Sequence, residues 1–590
     1  MFKYLSKSDF VRLFLAIIFI FAGVALDLKL PDYMREITTL VQTQGSSMND
    51  VLIAGAKMLG CALLSLVTTF IVGYFVAKVA AGLAKTLREL IFSKTVEFSK
   101  AEISEFSTAS LITRTTNDVQ QIQLCIAMGA QALARAPIMA IWAALKIANK
   151  SWQWAAITAG AVVFIVVFMG VISAIVLPKF KMMQELTDNL NSISRENLSG
   201  LRVIRAYNAE AFQQKKFDSA NSNLTNTQLF TSRRMSLMFP TISLVMSGLT
   251  LAIYWSGVFI INDAQLPDRL GLFSDMVVFS SYAIQIVMSF MLIVMVFIIL
   301  PRATVAAKRI EEVLKTPLSI TDAEQSQSLT TLPSPKNETT KEKTSIEFRN
   351  VSFKYPDAEE KILHDISFKA EGGQTVAFIG STGSGKSTLI QLFERFYDCT
   401  SGEILINGEN IQTIKQKDLR DKIGYVTQKP ILFKGTIKEN VEYGKDENDE
   451  RLAMALSASC SDEFVDKLAD GVNSKVSQGG TNFSGGQKQR LSIARAIFSD
   501  PEIYIFDDSF SALDYKTDRA VRSNLSKVSK DALKLIVAQR IGTILEADKI
   551  IVLDAGKIVG CGKHSDLIKT CPIYQEIAKS QLSIEELQNV

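Results

Sequence analysis

Gly380-Ser381-Thr382-Gly383-Ser384-Gly385-Lys386-Ser387-Thr388 fits G-x-x-x-x-G-K-[ST], the phosphate-binding loop. An apolar run, Thr375-Val376-Ala377-Phe378-Ile379, precedes it and predicts a buried strand. Leu389-Ile390-Gln391-Leu392-Phe393 follows and predicts a helix. Strand, glycine loop and helix start, in that order, are the context the motif requires. The chemistry needs glycines because backbone N–H groups must close in on phosphate oxygens with no side chain between. The helix start adds the positive end of its dipole. Lys386 is expected to reach the β- and γ-phosphates, and the Ser387 hydroxyl to ligate Mg²⁺. The stretch predicts an α/β phosphate-loop domain that binds a nucleoside triphosphate.

At 590 residues the chain has room for more than one domain. Its 48% hydrophobic content is high for a soluble protein, and the surplus lies before residue 302. A net charge of +4 is small for this length and gives no case for nucleic-acid binding. The cysteines, at 61, 125, 399, 460, 561 and 571, form no C-x-x-C pair and no metal-type spacing. They read as reduced thiols without a structural role.

Six apolar stretches approach or reach the roughly 20 residues needed to cross a hydrocarbon core. They lie near Phe10–Leu30, Lys57–Ala80, Ala132–Ala148, Ala155–Leu177, Met238–Ile261 and Met276–Leu300. The N-terminal run lacks a small-residue cleavage site and is followed by further spans, so it reads as a first span. Arg135 and Lys146 interrupt the third; both sit close to its ends, and the expectation is that they snorkel to the interface. The connections after the second and fourth spans are long and rich in Lys and Arg, whereas the other three hold only Lys29, Arg35, Lys150 and Arg269. By the positive-inside rule the long loops and both termini are cytoplasmic, and the nucleotide-binding half faces cellular ATP. Ile112–Val119 and Gly200–Glu210 mix apolar and charged residues at helical spacing, so the spanning helices are expected to run on past the bilayer. Thr316–Ser345 is dominated by Ser, Thr, Glu, Lys and Pro and reads as a flexible linker. The expected organisation is a six-span helical membrane domain over 1–314, a linker over 315–345 and a nucleotide-binding domain over 346–590.

The second half carries further motifs. Tyr355, in Ser352-Phe353-Lys354-Tyr355-Pro356, offers a flat π-face for adenine. Asn407-Gly408 is a tight hairpin turn. Gln428 follows a strand-like run, Ile423-Gly424-Tyr425-Val426-Thr427, and its amide could ligate Mg²⁺ or position water. In Asn482-Phe483-Ser484-Gly485-Gly486-Gln487, Ser484 and Gln487 have capping-box spacing, and two glycines expose N–H groups at a helix start. That makes a second phosphate-binding surface. Ile503-Tyr504-Ile505-Phe506 runs into Asp507-Asp508, carboxylates at the carboxyl end of a buried strand. Asp507 is expected to hold Mg²⁺ through water, and Asp508 stands where a general base for the attacking water belongs. Asp514 closes Ser511-Ala512-Leu513-Asp514, and a last apolar strand ends at Gln539-Arg540.

Phosphate loop, Gln428, Phe483-Ser484-Gly485-Gly486-Gln487, Asp507-Asp508, Ser511–Asp514 and six preceding spans, in this order, resemble ATP-binding cassette (ABC) exporters. The likeness covers nearly the whole chain. Thr116-Asn117-Asp118 and Val203–Glu210 resemble the cytoplasmic loop segments that dock onto the cassettes. The resemblance implies two cassettes stacked head to tail, each ATP lying between one phosphate loop and the other cassette's signature. This chain is then half of an ATP-driven translocase in a bacterial-type plasma membrane and requires a second ABC half-transporter. A small lipophilic or drug-like substrate is the favoured expectation, and Met276, Met288, Met291 and Met295 with Phe290 and Phe297 suit varied apolar shapes. An ATP-gated regulatory subunit, a lipid or peptide exporter and an exporter-shaped importer stay open.

The chain departs from the family pattern at its catalytic centre. Asp508 stands where the family usually has Glu, Gln539 where it usually has His, and Gln478 where Glu usually precedes the signature. Asp is one methylene shorter than Glu, which draws the carboxylate back by roughly 1.5 Å, and misplacement on that scale can cost about 100-fold in rate. Gln donates a hydrogen bond but carries no imidazolium charge. His364 and His564, the only histidines, lie elsewhere in the sequence. Together these changes resemble the degenerate-site subunit of heterodimeric ABC exporters.

Overall fold

The computed structural model describes residues 2–43, 46–148, 151–322 and 344–581. They fall into two compact units: Met1–Val96 with Thr108–Thr316, and Glu97–Ser107 with Pro317–Val590. The second unit thus takes in the tip of the first long loop. Most of the expected linker, residues 323–343, lies outside the described residues.

In the first unit, Lys7–Gln42, Met48–Glu97, Thr108–Ile147, Trp152–Ser199, Glu210–Asp263 and Asp268–Ile293 are long and apolar enough to cross a membrane. Apolar segments without water must satisfy their own backbone, and a helix does so residue by residue. Met48–Glu97, at 50 residues, extends about 75 Å, more than twice a hydrocarbon core of about 30 Å. The spans therefore run on into long extensions, as their sequence predicts. The segment after Gly200 is less regular than expected. A short helix, Leu201–Ala206, stops before Asn208, whose φ of +49° is left-handed, and a new helix starts at Glu210.

Arg135 and Lys146 do not simply snorkel. The Arg135 guanidinium meets the Asp27 carboxylate at 2.6 Å and the Lys146 ammonium meets Asp32 at 2.7 Å. Asp27 ends the helix Lys7–Asp27 and Asp32 opens Leu30–Gln42, so both cations are tied to the elbow in the first span. The Tyr282 hydroxyl lies 2.8 Å from both the Leu28 carbonyl and Asp32 Oδ1 and shares its single proton between them. A charge at membrane depth is expensive alone and tolerable when paired, which is why end position in the sequence was the weaker guide.

The second unit is built on two sheets. β1 (Ser345–Phe353), β2 (Leu363–Glu371), β4 (Ser401–Ile406) and β5 (Glu409–Asn410) form an antiparallel sheet in the order β2-β1-β4-β5. β3 (Thr375–Gly380), β6 (Ile423–Val426), β9 (Ile503–Asp507), β10 (Leu533–Val537), β11 (Lys549–Asp554) and β12 (Lys557–Gly562) form the second, ordered β12-β11-β3-β10-β9-β6. A small pair, β7 (Gly435–Thr436) and β8 (Lys475–Val476), stands apart. β11, β3, β10, β9 and β6 run parallel, with β12 antiparallel at one edge. β3 sends Ala377 and Ile379 into one apolar cluster and Val376 and Phe378 into another. A strand buried on both faces cannot alternate with polar residues, so its sequence is a continuous apolar run. Asn407 and Gly408, at φ +54° and +83°, make the β4–β5 turn that the Asn-Gly pair predicts.

Candidate functional site

The parallel strands deliver their carboxyl ends to one edge, and the site is assembled there. β3 ends at Gly380, where a Cβ would run into the Leu553 carbonyl. Gly385 has φ +95°, and a Cβ there would meet Leu363 Cδ2 at 2.6 Å. Gly380 is required by the close approach of the Leu553 backbone, and Gly385 by its left-handed conformation. The helix Lys386–Phe393 begins directly after Gly385, so its free N–H groups point into the loop.

Lys386 Nζ donates to the Gly380 carbonyl at 2.9 Å, to the Ser381 carbonyl at 2.8 Å and to Ser384 Oγ at 3.2 Å. The cation is thus held inside the cradle formed by Gly380–Thr388, with Thr382 and Gly383 at its rim. Burial pushes the Lys386 ammonium below its ordinary pKa, against the pull of Asp508 and Asp507. The Tyr355 hydroxyl hydrogen-bonds Thr388 Oγ1 at 3.0 Å, while its ring packs edge-on against Phe353 and Tyr397. Tyr355 therefore sits beside the phosphate loop.

The Ser387 hydroxyl donates to Asp507 Oδ1 at 2.9 Å. The hydroxyl and the carboxylate thus stand together as oxygen donors for the cation that the phosphate loop implies: Ser387 would hold it directly and Asp507 through water, while Gln428, also expected to join them, has its amide nitrogen on Asp508. That ion would supply charge neutralisation for phosphate oxygens. Burial raises the Asp507 pKa, with the Ser387 hydrogen bond opposing. A cation at this position removes that penalty.

Asp508 is different. Its φ of +50° is left-handed, and its N–H donates to the Val537 carbonyl at 3.0 Å. Gln539 Nε2 donates to Asp508 Oδ2 at 2.8 Å, and Gln428 Nε2 donates to the same oxygen at 3.3 Å. Two neutral amides thus converge on one carboxylate oxygen, where the family pattern pairs Glu with His. Burial raises the Asp508 pKa and the Gln428 and Ser511 hydrogen bonds oppose it. His564 is buried against the Tyr574 hydroxyl at 2.7 Å, well along the chain from this centre.

The signature residues form a separate surface. Ser484 caps the helix Gly485–Ser499 reciprocally with Gln487: Ser484 Oγ accepts from the Gln487 N–H at 3.3 Å, and Gln487 Oε1 accepts from the Ser484 N–H at 2.9 Å. A Cβ on Gly486 would meet the Ala512 carbonyl at 3.3 Å, so this helix start leans on the Ser511–Asp514 turn. Asp514 caps the next helix through the Thr517 N–H at 3.0 Å, which holds its carboxyl below the usual range. Gln478 is exposed in a turn carrying Gly479 and Gly480 at φ +69° and +62°. The Ser484 and Gln487 side chains each bond the other's backbone N–H, and the Ser484 carbonyl accepts from the Lys488 N–H at 3.0 Å.

Two residues escape a reading of motifs. Gln489, fully buried, donates to the Thr427 carbonyl at 3.3 Å and ties the signature helix to the strand end that carries Gln428. Gln581 donates to the Gln539 carbonyl at 2.8 Å from the far end of the chain. Neither belongs to a local pattern, and only the fold brings them in.

Residues 13–305 match the ABC transporter transmembrane region, and residues 363–511 match the ABC transporter family model. An uncharacterised ABC transporter ATP-binding protein of Mycobacterium tuberculosis is 37% identical over 93% of this chain and 93% of its own length. A multidrug resistance ABC transporter ATP-binding and permease protein of Lactococcus lactis is 28% identical over 98% of this chain and 95% of its own. Among solved structures, a bacterial Atm1-family ABC exporter with ATP bound aligns at a TM-score of 0.80 and 24% identity, over 97% of this chain and 99% of that one. At that identity the likeness is one of fold.

Proposed function

The chain belongs to the ABC transporter family, and on that premise we propose that it is the degenerate-site half of a heterodimeric exporter. Its membrane domain and cassette make it a multi-pass half-transporter that binds ATP with Mg²⁺. The reading beyond that rests chiefly on one observation: Asp508 Oδ2 is taken up by the amides of Gln539 and Gln428. A general base must reach its water with a free lone pair at the right distance. Here the carboxylate is one methylene short and the residue facing it is a neutral donor. This phosphate loop would hold ATP with little hydrolysis, while Ser484-Gly485-Gly486-Gln487 completes the partner's hydrolytic site.

Exposed apolar groups support the need for a second half. Val203 and Tyr207, at the tip of the second long loop, are 61% and 80% exposed, and Ile431 on the nucleotide-binding unit is 58% exposed. Lipophilic, drug-like compounds are the proposed substrates, and the Lactococcus lactis relative carries the name of a multidrug resistance transporter. Of the sixth-span methionines, Met276 is buried against Gly257 and serves packing, whereas Met288 is half exposed. Export direction is part of the proposal.

The test is ATP turnover of the chain purified alone in lipid, beside the Asp508→Glu/Gln539→His double variant. Near-zero turnover that the double change raises supports the reading. Brisk turnover and transport by the unmodified chain as a homodimer would remove it. A Met288→Ala exporter with an unchanged substrate profile would remove that methionine from the substrate path.

A further inference from the structure

The segment Gln539–Ile541 leaves the sheet at Val537 and carries the amide that reaches Asp508. Its backbone has no ladder partner at that point, yet it is held. Gln581 Nε2 donates to the Gln539 carbonyl at 2.8 Å, and Gln581 Oε1 accepts from the Ile541 N–H at 2.9 Å. One side-chain amide therefore grips the backbone on both sides of Arg540, as a neighbouring strand would.

The grip has a firm base. The C-terminal helix Pro572–Gln581 seats Tyr574 and Ala578 with no exposure, in the same apolar cluster as Ala538, Ile541 and Ile544. Gln581 follows Ala578 by three residues, on the same helix face, and brings its amide to the segment's edge. The side chain itself is exposed, so its replacement removes two hydrogen bonds without opening the core.

We infer that Gln581 is a positioning residue that latches the Gln539 segment against Asp508, making the C-terminal helix part of the nucleotide site. The Gln539 amide donates one hydrogen to Asp508, which lies near enough to Lys386 to act on its charge, so its second N–H is the one offered to a terminal phosphate on this loop, and a donor counts only when it is already aimed. Loss of the latch lets the segment drift and lowers affinity for a triphosphate. A diphosphate, which does not extend to the γ position, is indifferent. The inference rests on the reading that this loop takes a nucleoside triphosphate.

The experiment uses the full chain in lipid nanodiscs and fluorescent N-methylanthraniloyl ATP and ADP. Two variants are compared with the parent. Gln581→Ala deletes both contacts; Gln581→Glu keeps the acceptor for the Ile541 N–H but sets a carboxylate against the Gln539 carbonyl. Each is expected to weaken the triphosphate analogue by about three- to tenfold, the worth of one or two hydrogen bonds. The diphosphate analogue should stay where it is, and the melting midpoint should fall by no more than about 2–4 °C. Unchanged triphosphate affinity in both variants would overturn the latch. Equal weakening of both analogues with a fallen melting midpoint would also overturn it, as the mark of a merely structural contact. A parent chain that binds neither analogue would bring down the nucleotide reading itself, which keeps the two failures apart.

Discussion

The phosphate loop and the signature, the two surfaces proposed to bind phosphate, are both built at helix starts, yet their side chains are occupied in different ways. Around the phosphate loop the charged groups take partners within the site: Lys386 on its own loop's carbonyls, Asp507 on Ser387, Asp508 on Gln539 and Gln428. At the signature, Ser484 and Gln487 satisfy each other as a cap around Gly485 and Gly486. The first surface is assembled from strands far apart in sequence, the second from one local turn. The contrast teaches where substitution bites. A local surface survives drift elsewhere, whereas a convergent centre is altered by a change in any contributor, and here two contributors depart from the family pattern.

The sharpest way to break this comparison is to damage the intact surface and the altered one separately in an assembled transporter. Gly486→Val puts a branched side chain beside the Ala512 carbonyl, at 3.3 Å from a Cβ. Turnover is expected to fall by about 100-fold or more, the loss typical of a removed transition-state donor. Asp508→Asn, in the same assay, is expected to change turnover by less than about threefold. Equal losses would end the asymmetry.

Lys386→Ala tests the phosphate loop by binding, where the altered centre is still expected to work. Removal of a cation that makes charge-assisted contacts should weaken ATP by roughly 10- to 100-fold, measured by displacement of a fluorescent analogue. Retained affinity would mean that the loop is not a nucleotide site.

A smaller effect sharpens the boundary of the nucleotide-binding unit. Glu102, in the helix Lys100–Phe106, accepts from the Ser99 N–H at 2.6 Å and from the Ser319 N–H at 2.8 Å. Burial pushes its carboxyl up, but the Ser99 and Ser319 hydrogen bonds outweigh that and leave it below the ordinary 4.5. A carboxyl lowered in the folded state adds stability above its unfolded pKa and loses it as pH falls through the folded value. Glu102→Gln should therefore melt lower than the parent at pH 7, by roughly 2–4 °C. The gap should close as pH drops below about 4.5. A gap that persists at low pH would assign the effect to shape and not to charge.

Much of this was legible in the residues. The strand before the phosphate loop, the Asn-Gly turn, the capping box at Ser484 and the carboxylates after Ile503–Phe506 each follow from a local rule, and the structure shows each element in place. Arg135 and Lys146 meet carboxylates that no local rule supplies, because Asp27 and Asp32 are more than 100 residues away. The helix expected over Gly200–Glu210 breaks at Asn208, where a left-handed residue ends the periodicity that the apolar spacing suggests.

By itself the sequence determined the elements and the chemistry available to them: six apolar spans, a glycine loop ahead of a helix, and an Asp and a Gln just past the ends of two buried strands. Those are properties of short segments, set by periodicity, capping and the size of single side chains. Only the tertiary structure decided which groups share an atom. Asp508 Oδ2 takes amides from residues 80 and 31 positions away, and the segment that supplies one of them is gripped from 42 positions further on. Hydrogen bonds act over about 3 Å in space and are blind to separation along the chain, so packing of the parallel sheet and the C-terminal helix had to settle them.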